Sequence, residues 1–345
     1  MVGYLRFVLA SLVVYSHLNY ELWDIGVARV NQGVYAVFCF YLISGFFTAV
    51  IYDRFTGRDH LLQFYADRLL RILPTFWTVM LVVVLLNVFV HHEPGLGATP
   101  ADYREPRHWL LGFLQPLNAV LAFLNHGDYP YGPFFGFTPV ATLALEVQYF
   151  LIAPLFFRMR PWSIALLIVA ITIHTAYIAT TGNARDLENQ TYRDLGGVLP
   201  VFLLGFLFYR HLQAPVSWWQ RFEWLGLATG GIFLGVLLFA RPSSTQWLGE
   251  LALALITCPW MLKLAMKRRS SRLDHLAGYL SYGVFLSHIA VLRYLKLEGQ
   301  SHLQFVVAVL VATMAAVAIH YVVERPVLRW RHAMAGRGIK ELTAP

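Results

Sequence analysis

An arginine and a histidine lie eleven residues apart in the first apolar run of the chain, YLRFVLASLVVYSHLNY over residues 4–20, as Arg6 and His17. Eleven helical residues make about three turns, so the two side chains would share one stripe, roughly 16 Å apart along the axis. A guanidinium can hold an anion, and a neutral imidazole can take a proton near neutral pH. Both cost several kcal/mol against lipid, so they are expected to face a polar interior, and ionisable groups at membrane depth are functional candidates by default.

Further ionisable residues interrupt other apolar runs: Glu146, His174, His288 and Glu324. Glu146, in TPVATLALEVQYFLIAP, needs an arginine or histidine partner, whether it serves chemistry or a packing salt bridge. His288 falls on one helical face with Ser281 and Phe285 in YLSYGVFLSH. The ordinary reading of a lone membrane histidine is a hydrogen-bonded structural residue, and His174 has no supporting motif. Arg68 and Arg71, one turn apart in FYADRLLRILPTFW, could clamp phosphate oxygens in paired bonds, although anchoring to the inner leaflet explains most such arginines. Tyr129, Tyr131, Phe134 and Phe135, in YPYGPFFGFTP, could stack on sugar rings or form an interfacial aromatic belt. Cys39 and Cys258 both fall inside apolar runs and match no metal-ligand spacing, so neither a disulfide nor a metal is expected.

The elements that must position these groups follow from composition. The chain has 345 residues, 58% hydrophobic and 13% charged, about half the charged fraction of an average soluble domain. Runs of roughly 20 apolar residues can be placed at 4–22, 33–52, 72–91, 138–157, 162–181, 196–213, 222–240, 246–265, 276–296 and 302–323. The expectation is an all-α polytopic bundle of about ten spans forming one domain over 1–345, with a basic tail at 332–345. The first run has no small-residue cleavage site after it and reads as retained. With both termini cytoplasmic, nineteen Lys and Arg fall on the inner side and eight on the outer, as the positive-inside rule requires. The net charge of +8 then reports this asymmetry and anionic headgroups, with no nucleic acid implied. The one long connection, residues 92–138, is placed outside.

Six stretches, in order, resemble the acyltransferase-3 family of polytopic membrane acyltransferases. They are the Arg6/His17 spacing, FYLISGF with Ser44, Gly45 and Phe46, RLLRILP with Arg68, Arg71 and Pro74, TLALEVQYFLIAP around Glu146, LAGYLSYGVFLSH ending at His288, and VERP of Val323 to Pro326. Ala36 and Phe38 stand where many relatives carry a glycine and an aspartate, and Ala141 replaces a frequent tryptophan.

The resemblance implies transfer of a short acyl group, above all acetyl, from cytoplasmic acyl-coenzyme A as co-substrate to a hydroxyl of an extracytoplasmic or lipid-linked carbohydrate, in a bacterial inner membrane. It implies His17 as general base with Glu146 orienting or charge-stabilising it, and His288 in support. Arg6, Arg68 and Arg71 would hold the coenzyme's phosphates, Ser44 would line the thioester path, and Tyr129, Tyr131, Phe134 and Phe135 would meet the acceptor. A transporter or flippase of a lipid-linked sugar is the alternative, because polar residues at membrane depth also mark translocation routes. Its sign, two similarly interrupted helices in corresponding halves, is not seen.

Overall fold

The computed structural model describes residues 1–18, 23–24, 26, 28–55, 60–86, 139–181, 191–192, 194–213, 219–240, 247–297 and 301–334. Among these the helices are α1 (Val2–Leu18), α2 (Gln32–Tyr52), α3 (His60–Leu86), α4 (Pro139–Phe157), α5 (Pro161–Thr181), α6 (Leu195–Leu212), α7 (Trp219–Gly235), α8 (Leu248–Lys267), α9 (Arg272–Tyr294), α10 (His302–Ile319) and α11 (Arg325–Met334). A π-helical turn, Val236–Ala240, extends α7, and another, His320–Glu324, joins α10 to α11. Two short antiparallel strands, β1 (Trp23–Asp24) and β2 (Arg29–Val30), pair Trp23 with Val30 between α1 and α2. Gly26 turns this ribbon at φ 82 and donates its N–H to Asp24, a conformation that suits a residue without a Cβ.

All ten expected apolar runs overlap helices. Seven described segments are long and apolar enough to cross a membrane: Gln32–Tyr52, Pro161–Thr181, Leu195–Leu212, Glu223–Ala240, Leu248–Lys267, Arg272–Tyr294 and His302–Trp330. Residues 2–18 and 142–157 form shorter apolar helices, and the first half of α3 carries Asp67, Arg68 and Arg71. Large apolar side chains face outward on the bundle's flanks, including Leu166, Ile173, Leu310 and Met314. Such a surface suits lipid, and helices alone satisfy their backbone groups there.

Burial separates the centre from the periphery. The apolar windows of α2 and α6 are 67% and 78% buried, against 33% for α5 and 22% for the segment containing α10. α2 packs against α1, α6 and α8, while α1 also packs against α9. Small residues permit the tightest crossings, as in other membrane bundles. A Cβ on Gly45 would strike the carbonyl of Phe202, and one on Gly205 would strike the carbonyl of Leu42, so α2 and α6 meet backbone to backbone. Gly3 meets α9 in the same way, at the carbonyl of Asp274. These crossings carry consequences for the polar residues beside them, because Ser44 precedes Gly45 and Arg6 lies one turn beyond Gly3.

Capping sets the registers at the helix ends. Asn31 accepts from the N–H groups of Gly33 and Val34 at the start of α2, and its own N–H donates to Glu250 of α8 at 2.7 Å. At the other end of the bundle Asp274, in the first turn of α9, accepts from the N–H of Tyr4 in α1 at 2.9 Å. Two orphan donors at the start of a helix are thereby satisfied across the bundle. Phe38 is fully buried and meets the rings of Tyr41 and Tyr192 edge-on.

Gly45→Ala is expected to destabilise the protein by about 1–3 kcal/mol, the usual cost of overpacking, whereas Gly231→Ala, with no atom within 4 Å of the added carbon, should be neutral. Thermal unfolding of the two variants in detergent checks the difference.

Candidate active site

The polar side chains of the sequence analysis assemble in two tiers along α1. The lower tier surrounds Arg6, which lies within electrostatic reach of Glu146 and Glu324 as attracting charges and of Arg71 and Arg68 as repelling ones. Six of the described elements supply it: α1, α2, α3, α4, α9 and the turn His320–Glu324. Ser44 of α2 donates to Glu146 Oε1 of α4 at 2.6 Å. Thr75 of α3 donates to Glu324 Oε1 at 3.0 Å, and His320 Nδ1 lies 3.0 Å from Glu324 Oε2. Arg71 Nη1 stands 3.9 Å from Glu324 Oε1 and covers the rings of Tyr282 and Tyr279 at 5.6 and 5.8 Å.

Each short motif thereby acquires a physical reason. In Ser-Gly-Phe, Ser44 reaches the Glu146 carboxylate, Gly45 admits the α6 backbone, and Phe46 packs on Phe208 and Tyr209. In RLLRILP, Pro74 lies inside α3 and cannot donate to the carbonyl one turn back. A small cleft beside it is lined by Leu70, Arg71, Pro74, Thr75, Glu324 and Val327 among others. In VERP, the glutamate is the acceptor on which Thr75, His320 and Arg71 converge.

The two arginines expected to clamp phosphate differ. Arg68 is buried, and its Nε and Nη2 both reach Asp67 Oδ2, at 3.2 and 2.6 Å. Its fork is engaged by its own neighbour while it rests over Phe150. Among the described residues Arg71 has the long approach to Glu324 and two aromatic faces, so its donors, unlike those of Arg68, are not held in a short ion pair.

The upper tier is a pair of imidazoles. His17 and His288 bring their rings to a centroid distance of 5.1 Å with a tilt of 39°. His288 is fully buried, its Nδ1 is 2.7 Å from the carbonyl of Phe285, and its Nε2 has no hydrogen-bond partner among the described residues. Gly33 of α2 abuts Ser16 of α1, and Ser44 lies eleven residues further along α2. The Ser44–Glu146 pair is therefore about three turns, or 16 Å, below His17. This geometry corrects one expectation: Glu146 meets Ser44 and the field of Arg6, not His17, and the ring beside His17 is that of His288. His174, on α5, is exposed on the bundle's flank. Tyr129, Tyr131, Phe134 and Phe135 lie outside the described residues.

Several members of the site were not singled out from sequence. His320 stands at the i, i+4 spacing from Glu324, itself a candidate from sequence, that brings helical side chains together, and Asp67 adjoins Arg68, so both pairings had a local signal. Thr75, Tyr279 and Tyr282 had none, and neither did the meeting of His17 with His288 across 271 positions of sequence.

Among the described residues no group of three or more His, Cys, Asp or Glu could hold a metal ion, and Cys39 and Cys258 are free and buried. What remains is a helical membrane bundle with paired charges below and imidazoles above. A model of the acyltransferase-3 family, described as an acyltransferase domain, matches residues 2–325, and the chain belongs to that family. It is an integral membrane acyltransferase. No curated protein and no solved structure matched.

Removing one partner of a buried ion pair leaves the other charge uncompensated, typically at a cost of about 3–5 kcal/mol. Glu324→Ala, which strips Arg71, Thr75 and His320 of one acceptor, is expected to destabilise within or near that range. Thr75→Val should cost about 1 kcal/mol, the loss of one hydrogen bond. Chemical unfolding of both variants in micelles gives the comparison.

Proposed function

We propose that this acyltransferase moves a short acyl group, acetyl in the first instance, from acyl-coenzyme A on the cytoplasmic side to a carbohydrate hydroxyl presented from the outer side of a bacterial inner membrane. The observation that carries the proposal is the stacking of two chemically different tiers on one helix face. Arg6 and Arg71 mark one level and the imidazole of His17 the other, about 16 Å away, a span that an extended pantetheine arm bridges between phosphate and thioester. A transporter would be favoured by paired broken helices in corresponding halves, and the geometry offers no specific support for it.

In this reading the cationic level meets the coenzyme's phosphates. Arg71 leads, with Arg6 adding field and Glu324 and Glu146 keeping the empty cluster close to neutral. Arg68, tied to Asp67, holds α3 against Phe150 and contributes mainly by position. Ser44 and Glu146 line the path that the pantetheine takes between the tiers. At the upper level His17 removes the proton from the acceptor hydroxyl as its oxygen attacks the thioester carbonyl. The tetrahedral intermediate then collapses, the carbon–sulfur bond breaks, and the departing thiolate takes the proton from the His17 imidazolium. The ester and the free coenzyme thiol account for every atom, and no acyl-enzyme is required. Tyr129, Tyr131, Phe134 and Phe135 are proposed to stack on the acceptor sugar.

His17→Ala should lower acetyl transfer by about 10²–10⁴-fold, the range for a lost general base, while coenzyme A affinity by calorimetry stays near wild type. Transfer at the wild-type rate would remove the assignment. Arg71→Ala should weaken coenzyme A binding more than Arg68→Ala does, and Arg71→Lys should recover only part of it, because lysine keeps the charge without the planar fork. Equal affinities in all three variants would return Arg71 to a structural role.

A further inference from the structure

We infer that His288 is a positioning residue for His17: its buried Nε2 accepts a hydrogen bond from a His17 N–H, which leaves the other His17 nitrogen unprotonated and directed at the acceptor hydroxyl. The inference rests on the base role proposed for His17 and adds the group that fixes its tautomer.

A carbonyl oxygen can only accept, so the 2.7 Å contact with that of Phe285 requires the proton on His288 Nδ1. In the neutral ring Nε2 is then a bare lone pair. That lone pair is fully buried and has no hydrogen-bond partner among the described residues, a state that carries a desolvation penalty while it persists. The ring beside that of His288 is His17's, at 5.1 Å between centroids. Two imidazoles joined end to end by an N–H···N bond have nearly this separation, so the inferred bond needs the two rings turned nitrogen to nitrogen at the distance they already keep.

The backbone around the pair is fixed in a way that favours such a device. Gly283 of α9 packs against Ala316 of α10, and the start of α9 is pinned to α1 through Asp274 and Tyr4. His288 itself is wholly buried and so cannot meet the acceptor without rearrangement, whereas His17 is only partly covered. The two rings therefore have distinct tasks: one reacts, and the other orients. When His17 takes a proton from the acceptor, its N–H toward Nε2 becomes a charge-assisted donor, which strengthens the bond at the moment the charge appears.

Two side chains separate this role from mere packing. Glutamine places an amide oxygen near the position of Nε2, and asparagine places one near Nδ1. His288→Gln should retain most of the turnover, while His288→Asn and His288→Ala lose on the order of 10²-fold in kcat, as misplacement of a catalytic group does. The KM for acetyl-coenzyme A should not move in any of the three. Equal losses in the Gln and Asn variants, or losses that appear in KM, would overturn the inference. A second measurement uses the unaltered protein: nitrogen-15 spectra of its histidines in bilayers, with His17→Gln and His288→Gln samples for assignment. The expected result is His288 protonated at Nδ1 only, with a through-space correlation from Nε2 to a His17 ring nitrogen. A proton on His288 Nε2, or a bare Nε2 hydrated without that correlation, would overturn it. The tautomers are read without turnover, so the inference can fail while the base role of His17 stands, and an active His17→Ala would remove the base role whatever the spectra show.

Discussion

A charge inside a bilayer has to be matched before anything else about it can be useful, and most of this structure is arranged around that requirement. Arg6 would cost several kcal/mol against lipid. It is held instead in a cluster where Glu146 and Glu324 offset Arg71 and Arg68. Each carboxylate is in turn held by a hydroxyl, Ser44 for Glu146 and Thr75 for Glu324. Such a cluster gives little net stability compared with an apolar core. It is an arrangement that keeps cations at membrane depth.

Close helix crossings make the cluster possible. Gly45 and Gly205 bring α2 against α6, and Gly3 brings α1 against α9; without these approaches Ser44 and Arg6 would stand farther from α4 and from Arg71. The π-helical turn at His320–Glu324 does comparable work on the other flank, ending α10 so that a carboxylate points at α3. π-turns inside helices occur often at functional positions, and this one lies within the site.

Much of this was legible in the sequence, in uneven ways. Helices were legible because a spanning segment must be continuously apolar, so α2, α5 and α6 announce themselves by composition. α3 was less so, because its apolar run begins a full three turns after the helix does, at a stretch carrying Asp67, Arg68 and Arg71. The shared face of Arg6 and His17 follows from helical period alone. Their partners do not: periodicity says which way a residue points on its own helix and nothing about which helix lies opposite. Glu146 was expected to need a cation or an imidazole, and the choice between Arg6 and His17 depended on the vertical register of α4 against α1, which no local pattern encodes. His288 was legible only as a buried polar residue on α9 until the fold brought it beside His17.

The function proposed above has one donor engage both tiers, with phosphate recognition below and proton transfer above. Acetyl-pantetheine, which carries the thioester but lacks the nucleotide and its phosphates, separates the two directly. The measurement is kcat/KM of reconstituted Arg71→Ala protein with acetyl-coenzyme A and with acetyl-pantetheine, each relative to the unaltered protein. A large loss with the full coenzyme and almost none with the truncated donor is expected. An equal loss with both donors would contradict it, because Arg71 would then be acting on the reaction or the fold and not on the phosphates.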